Sequence, residues 1–389
     1  MRDAVIVDAV RTPVAKGKPG GTLSGIHPVD LSAHVLTSLA ERTGLDPATV
    51  DDVVWGCVTQ VGEQTGSIGR YAVLAAGWPE HVPGLAVDRL CGSSQQAVHQ
   101  VAAGVIAGQY DIAVAGGVES MSRVPMGSNK TGQFGEPGGP LVRERYDNFR
   151  FNQGVGAEMI AEEWGLTREE LDQHALDSHA KAARAIDEGR FKGQLAPVTV
   201  TDADGNTRLF DTDEGVRRGG TLEGLGALKT PFKEGGVITA GNASQISDGS
   251  AALLITTSEI AAANGWTPIA RFHTGVVTGV DPITMLKGPV PATRKALAKA
   301  GLAIDDIGAF EINEAFAPVS LGWQRQLGAD YARLNPNGGA IALGHPLGGS
   351  GARLMTTLVH HMRDNGIRYG LQSMCEAGGM ANATVLELI

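Results

Sequence analysis

The chain predicts an α/β fold made of two related halves, and three features of its 389 residues carry that reading. Short apolar strands alternate with amphipathic helices, as in a sheet whose strands are largely buried. Residues 36–45 followed by 51–56 have an echo in 294–302 followed by 305–310; each run is helix, Gly-Leu, acidic pair, apolar strand. Val114-Ala115-Gly116-Gly117 and Ser373-Met374-Cys375-Glu376-Ala377-Gly378-Gly379 are both strands ending in paired glycines.

Taken in order, residues 5–10 form a strand, and 30–43 a helix with Leu31, Val35 and Leu39 on one face. Residues 53–58 are a buried strand, and 64–76 are helical up to the turn at Gly77-Trp78-Pro79. Residues 85–87 run into Cys91 and a helix from Gln95 to Ala107, and 112–117 form the next strand. The texture changes after Met121: residues 127–153 are polar, rich in Gly and Pro, and too long for an ordinary connector. Thr167-Arg168-Glu169-Glu170 is a capping box opening a helix to about Ile186. Irregular structure and short strands are expected over 193–241, before a core strand at 251–255. The reading is an N-terminal domain, 1–262, with a loop domain inserted at about 122–241, and a C-terminal domain, 267–389.

Composition narrows the function. Apolar residues at 42% and charged residues at 19% describe a globular chain. The net charge of −10 argues against nucleic acid or an anionic membrane as partner. A small anionic ligand held by backbone dipoles or a few arginines stays open. Three cysteines, Cys57, Cys91 and Cys375, are too few and odd in number for a disulfide framework, which points to a reducing compartment. Neither Cys-x-x-Cys nor His-Glu-x-x-His occurs, so no metal site is expected. Asp3 and Asp8 interrupt what would be a signal peptide's apolar core, and no apolar run approaches the ~20 residues of a membrane span. The expected location is the cytoplasm.

Four strand-to-helix junctions carry candidate chemistry. Cys91 precedes a helix N-terminus, where unpaired N–H groups and the dipole favour a thiolate; the plain alternative is a buried structural cysteine. His345 stands in a glycine-rich turn, Gly344-His345-Pro346-Leu347-Gly348-Gly349, that would present its ring. Cys375 ends a strand before a turn able to aim successive N–H groups into one cavity. Asn313 follows the strand 309–312 and is either a site amide or a helix N-cap with Glu314 as dipole partner. Four such junctions in a duplicated α/β chain favour a ligand crevice.

With these residues in view, the sequence resembles the thiolase family over essentially its whole length. The resemblance rests on Cys91-Gly92-Ser93, Gly117-Val118-Glu119-Ser120-Met121-Ser122, Thr239-Ala240-Gly241-Asn242-Ala243-Ser244, Asn313-Glu314-Ala315-Phe316, the run Asn335 to Pro346, and Cys375 with its glycines. It implies two βαβαβαββ halves in a five-layer αβαβα core with an inserted loop domain, assembled as a homodimer or homotetramer. It implies thiolytic cleavage of 3-ketoacyl-CoA by an acyl-cysteine, with CoA as co-substrate and no permanently bound cofactor. Cys91 is then the nucleophile, His345 its base and Cys375 the second acid–base. One oxyanion site comes from His345 and a water held by Asn313, the other from the backbone N–H groups of Cys91 and Ala377. Arg217 falls near the adenine and phosphates of CoA, Ala240 and Ser244 along the pantetheine, and Phe316 by the acyl pocket.

Two departures bear on specificity. The family's closing Cys-x-Gly-Gly-Gly is here Cys375-Glu376-Ala377-Gly378-Gly379, so Ala377 donates its N–H only if the backbone there does not need a positive φ. Where short-chain biosynthetic members carry His-Met-Gly, this chain has Asn152-Gln153-Gly154, which places Gln153 at the acyl pocket. A degradative role on longer, branched or ring-bearing chains is expected. The alternative is a biosynthetic acetoacetyl-CoA thiolase.

Overall fold

The structure, a computed structural model, describes residues 2–389 apart from 131, 134, 202 and 203. The first half contributes β1 (Val5–Arg11), β2 (Ala15–Lys16), β3 (Asp52–Gly56), β4 (Leu85–Val87) and β5 (Ile112–Ser120). Between β5 and the next core strand, β8 (Ser247–Thr256), lies a separate hairpin, β6 (Val198–Thr201) and β7 (Thr207–Phe210). The second half adds β9 (Ala270–Gly279), β10 (Ala309–Ile312), β11 (Tyr369–Glu376) and β12 (Met380–Leu388).

Ten strands form one sheet, in the order β10-β11-β12-β9-β1-β8-β5-β3-β4, with β2 beside β8. The duplication is visible in the pairing. In one half β3 runs parallel to β5, and β5–β8 and β8–β1 are antiparallel; in the other, β10 runs parallel to β11, and β11–β12 and β12–β9 are antiparallel. The two strand systems join at the β1–β9 pairing, Val5 with Arg271 and Ile6 with Ala270.

Helices fill the other layers. Pro28–Thr43 and Ile68–Ala75 cover the outer face of the first half. Ser93–Ala107 and Ser350–Asn365 pack between the halves, burying Val98, Val101, Val105, Met355, Leu358 and Met362. Pro289–Ala300 and Ala317–Leu327 cover the outer face of the second half around Phe310 and Trp323. The five alternating layers follow from strands apolar on both faces, since each face needs its own helical cover. In β1, Val5, Val7 and Val10 face the outer core while Ala4, Ile6 and Ala9 face the central helices.

Local chemistry moved some boundaries. The helix expected over 64–76 begins at Ile68, because Gly66 and Ser67 both adopt left-handed φ values, 73° and 62°. The helix at Thr167 carries the expected capping box and runs from Arg168 to Asp187. The sequence marks a strand at His273 without giving its extent, and β12 escaped notice in the sequence: Arg, His, Asn and Glu interrupt the apolar pattern of β9 and β12, and their sheet partners make them long strands.

Candidate active site

Cys91 lies where β4 turns into the Ser93–Ala107 helix, and it is 4% exposed. The turn is tight enough to hold Leu90 at a φ of 49°, a left-handed conformation that costs a side-chain-bearing residue about 1–2 kcal/mol. Local hydrogen bonds hold it there: Leu90 N–H donates to Asp88 Oδ1 (2.7 Å), Arg89 N–H to Ser93 Oγ (2.9 Å), and Ser93 Oγ to the Leu90 carbonyl (2.6 Å).

The thiol does not ionise easily there. Burial, and after it the carboxyl of Glu376, pushes Cys91 up to about 12, with the Gln153 side chain hydrogen-bonded to the sulfur and acting the other way. A helix terminus contributes at most ~1–2 kcal/mol, whereas removing an anion from water costs several, so desolvation wins. The expectation of a helix-activated thiolate is therefore corrected.

His345 sits between the short Ala340–Leu343 helix and the long Ser350–Asn365 helix. Its backbone N–H donates to Ser247 Oγ (3.1 Å) and to the Gln245 carbonyl (3.2 Å). Nδ1 lies 2.5 Å from Ser350 Oγ, and that hydroxyl spends its one proton on the Pro346 carbonyl at 2.8 Å. Nδ1 must then be the protonated nitrogen, which leaves Nε2 with a free lone pair. Burial, with the charge of Arg353, holds the ring near 3, so the imidazole is neutral.

Asn313 Nδ2 is 3.4 Å from that Nε2. The same amide hydrogen-bonds the thiol of Cys375, and burial, followed by the nearby sulfur of Cys91, pushes Cys375 well above an ordinary thiol. Two sulfurs, an amide and an imidazole from β10, β11 and two helix-entry turns thus surround one volume. Asn313 is not a helix cap: the following helix starts at Ala317 with Phe316 at its N-cap position, and the buried Oδ1 of Asn313 has no protein partner.

Ala377 follows β11 with a φ outside the positive region, while Gly378 (76°) and Gly379 (77°) take the left-handed positions. Alanine is therefore unstrained there, and the doubt raised by the missing glycine is removed. Gln153 opens the Gln153–Glu163 helix beside Cys91. Phe316 packs edge-on against Phe232, with ring centroids 6.0 Å apart. Ser244 N–H donates to the Ala315 carbonyl, which docks the 239–244 loop on the Asn313 turn and leaves Ala240 exposed. Arg217 stands farther out, on an exposed loop whose backbone N–H donates to His179 Nδ1 at 3.1 Å.

Glu314 escaped the sequence reading. Its buried carboxyl accepts from Ser178 Oγ (2.7 Å), Asn335 Nδ2 (2.8 Å) and the Ile341 N–H (3.2 Å). It thereby ties the Asn313 turn to the helix that leads into His345. Only its place in Asn-Glu-Ala-Phe marked it, since all three donors are distant in sequence. Glu314→Ala should strand these donors and destabilise the chain by about 3 kcal/mol, measured by urea unfolding.

No helix among the described residues is long and apolar enough to cross a membrane, and no cluster among them has the ligands for a metal. The comparisons place this fold and junction in a class of acyl-transferring enzymes. The chain belongs to the thiolase family: residues 4–259 match the thiolase N-terminal domain and 266–388 the thiolase C-terminal domain. It is 49% identical to a steroid 3-ketoacyl-CoA thiolase, FadA6, of Mycobacterium tuberculosis, over all of this chain and 94% of the relative. It is 43% identical to a 3-ketoacyl-CoA thiolase of Pseudoalteromonas translucida and to a beta-ketoadipyl-CoA thiolase of Escherichia coli, over the full length of each. A crystal structure of the Bacillus anthracis acetyl-CoA acetyltransferase superposes with a TM-score of 0.91 at 37% identity, covering 100% of this chain and 99% of that one.

Proposed function

We propose that this thiolase works in the degradative direction on 3-ketoacyl-CoA esters whose acyl chain is long, branched or ring-bearing. The reaction is thiolysis: CoA cleaves the substrate to acetyl-CoA and an acyl-CoA shortened by two carbons. The observation that carries the mechanism is the meeting of Cys91, Cys375, Asn313 and His345 at the sheet ends.

In this reading Nε2 of His345 takes the Cys91 proton as the sulfur attacks the 3-keto carbon. The C2–C3 bond then breaks, leaving an acyl group on Cys91 and the enolate of acetyl-CoA, which Cys375 protonates at C2. A CoA thiol, giving its proton to Cys375, attacks the acyl-cysteine; the C–S bond to Cys91 breaks, the shortened acyl-CoA is released, and the Cys91 sulfur takes its proton back from His345. The protonated imidazole, with a water held by Asn313, stabilises the enolate oxygen. The N–H groups of Cys91 and Ala377 stabilise the oxygen on the carbonyl bound to sulfur. CoA lies along Ser244 and Ala240 toward Arg217.

Two features support a bulky acyl group: the 49% identity to the steroid-acting relative, and an apolar approach on the inserted segment. Met126, Phe149, Phe151, Leu228 and Phe232 are all exposed there. Gly154 leaves room for the Phe232 ring, which a Cβ at that position would meet at 2.3 Å. The proposal includes the division into domains 1–262 and 267–389, with the loop domain at about 122–241, and a homodimer or homotetramer in the cytoplasm. The β4 edge, paired on one side only, supports assembly through the sheet.

The test is kcat/KM for thiolysis of acetoacetyl-CoA, a straight medium-chain 3-ketoacyl-CoA and a ring-bearing one, each with and without free CoA. Ring-bearing or longer substrates should exceed acetoacetyl-CoA by about tenfold or more, the scale of a few well-placed apolar contacts. A preference for acetoacetyl-CoA would favour the biosynthetic alternative, and sustained turnover without CoA would indicate a hydrolase.

A further inference from the structure

Glu376 is fully buried at the end of β11, one residue beyond Cys375, and neither of its carboxyl oxygens has a hydrogen-bond partner. The carboxyl lies against the backbone of Gly92, the residue after Cys91: a Cβ on Gly92 would come within 2.0 Å of Glu376 Oε1. Asn382 of β12 closes the same space, its Nδ2 donating to the Gly92 carbonyl at 3.1 Å while its Oδ1 stays unpartnered. Arg89, two residues before Cys91, has a buried Nε that is also unpartnered among the described residues, while its Nη1 donates to Met380 Sδ at 3.9 Å. An acid and a base, each unsatisfied and each close enough to affect the other, therefore flank the cysteine turn.

We propose that Glu376 and Arg89 are positioning residues that set the charge felt by Cys91, the carboxylate opposing the thiolate and the guanidinium offsetting that opposition. The idea rests on Cys91 being the nucleophile. The other charged or titratable groups facing the pair and the thiol are Asp88 beside Arg89, His99 on the Ser93–Ala107 helix, Cys375 on β11, Glu119 on β5 and, in the proposed mechanism, His345. Burial pushes Glu376 up to about 8, with Arg89 drawing it back down. The carboxyl is thus largely protonated at neutral pH and turns negative as the solution becomes basic, which is where Cys91 would begin to ionise. Glu376 then acts as a brake on the free thiolate, confining ionisation to the moment when a substrate carbonyl draws the sulfur's electrons.

The experiment follows alkylation of Cys91 by iodoacetamide against pH in the full-length protein, with the site read by peptide mass spectrometry. E376Q keeps the shape of the side chain and removes its charge, and should lower the midpoint by about 1 pH unit, tenfold in thiolate at a fixed pH. E376I fills the same apolar space and should move it in the same direction, which covers the case in which E376Q does not fold. R89Q should raise the midpoint by a similar amount. A purely structural role would lower activity in all three without moving the midpoints in opposite directions. An unchanged midpoint in E376Q and E376I, or R89Q moving with them, overturns the proposal. Failure of Cys91 to be alkylated or acylated in the unmodified enzyme would instead overturn the nucleophile assignment itself.

Discussion

Cys91→Ala is expected to abolish acyl-enzyme formation and to reduce thiolysis by about 10⁴–10⁶-fold, the loss seen when a covalent nucleophile is removed. Its surroundings explain why nothing substitutes. Cys57 is buried and pushed well above an ordinary thiol by burial, and Cys375 is held the same way. Burial raises all three thiols, so what distinguishes Cys91 is its place: the strained Leu90 turn sets its sulfur beside the Gln153 side chain, where the other two do not lie. Intact-mass measurement after mixing with an acyl-CoA checks this. An acyl adduct persisting on the Cys91→Ala protein would remove Cys91 from the mechanism.

Cys375→Ala is expected to separate the two half-reactions. Acylation of Cys91 should still be detected by mass. Exchange of the acetyl-CoA C2 proton with solvent deuterium should fall by about 10²–10⁴-fold, the usual worth of a positioned acid–base group. The direction follows from the site. Burial, and the neighbouring sulfur of Cys91 after it, keeps Cys375 a thiol, so it enters the reaction carrying the proton the enolate needs. His345 starts neutral with its Nδ1 proton directed at Ser350, and the proton it takes from Cys91 is then engaged at the enolate oxygen, which leaves C2 to Cys375. Exchange at the unmodified rate in Cys375→Ala would assign the C2 proton to another group.

Most elements were legible because strands apolar on both faces and capped helices write their character locally. The capping box at Thr167, the strand 309–312 and the turn after β11 at Gly378-Gly379 needed no tertiary information, whereas the glycine pair expected to end β5 lies inside it: Gly116 and Gly117 pair with Ala252 and Ala251, and the strand runs on to Ser120. The extent of β9 and the whole of β12 needed that information, because their polar residues look unlike a strand until neighbours take up the backbone. Ionisation was the least legible. Helix-end proximity suggested an acidic Cys91, but whether the thiol is wet or dry depends on what packs over it. That cover comes from Val58, Met121, Leu347, Leu354 and Met374, spread along most of the chain.

The order of residues alone determined the duplicated α/β architecture and the strand-end places of Cys91, Cys375 and Asn313, because periodicity, turn chemistry and spacing are local properties; His345, expected at a strand-to-helix junction, follows the short helix Ala340–Leu343 instead. Only the folded chain decided that Ala377 needs no left-handed backbone, that His345 carries its proton on Nδ1, and that Glu314 and Glu376 brace or face the reacting groups. Those outcomes depend on distances between segments up to some 290 residues apart, as for Asn382 and Gly92, and on how much water each group keeps.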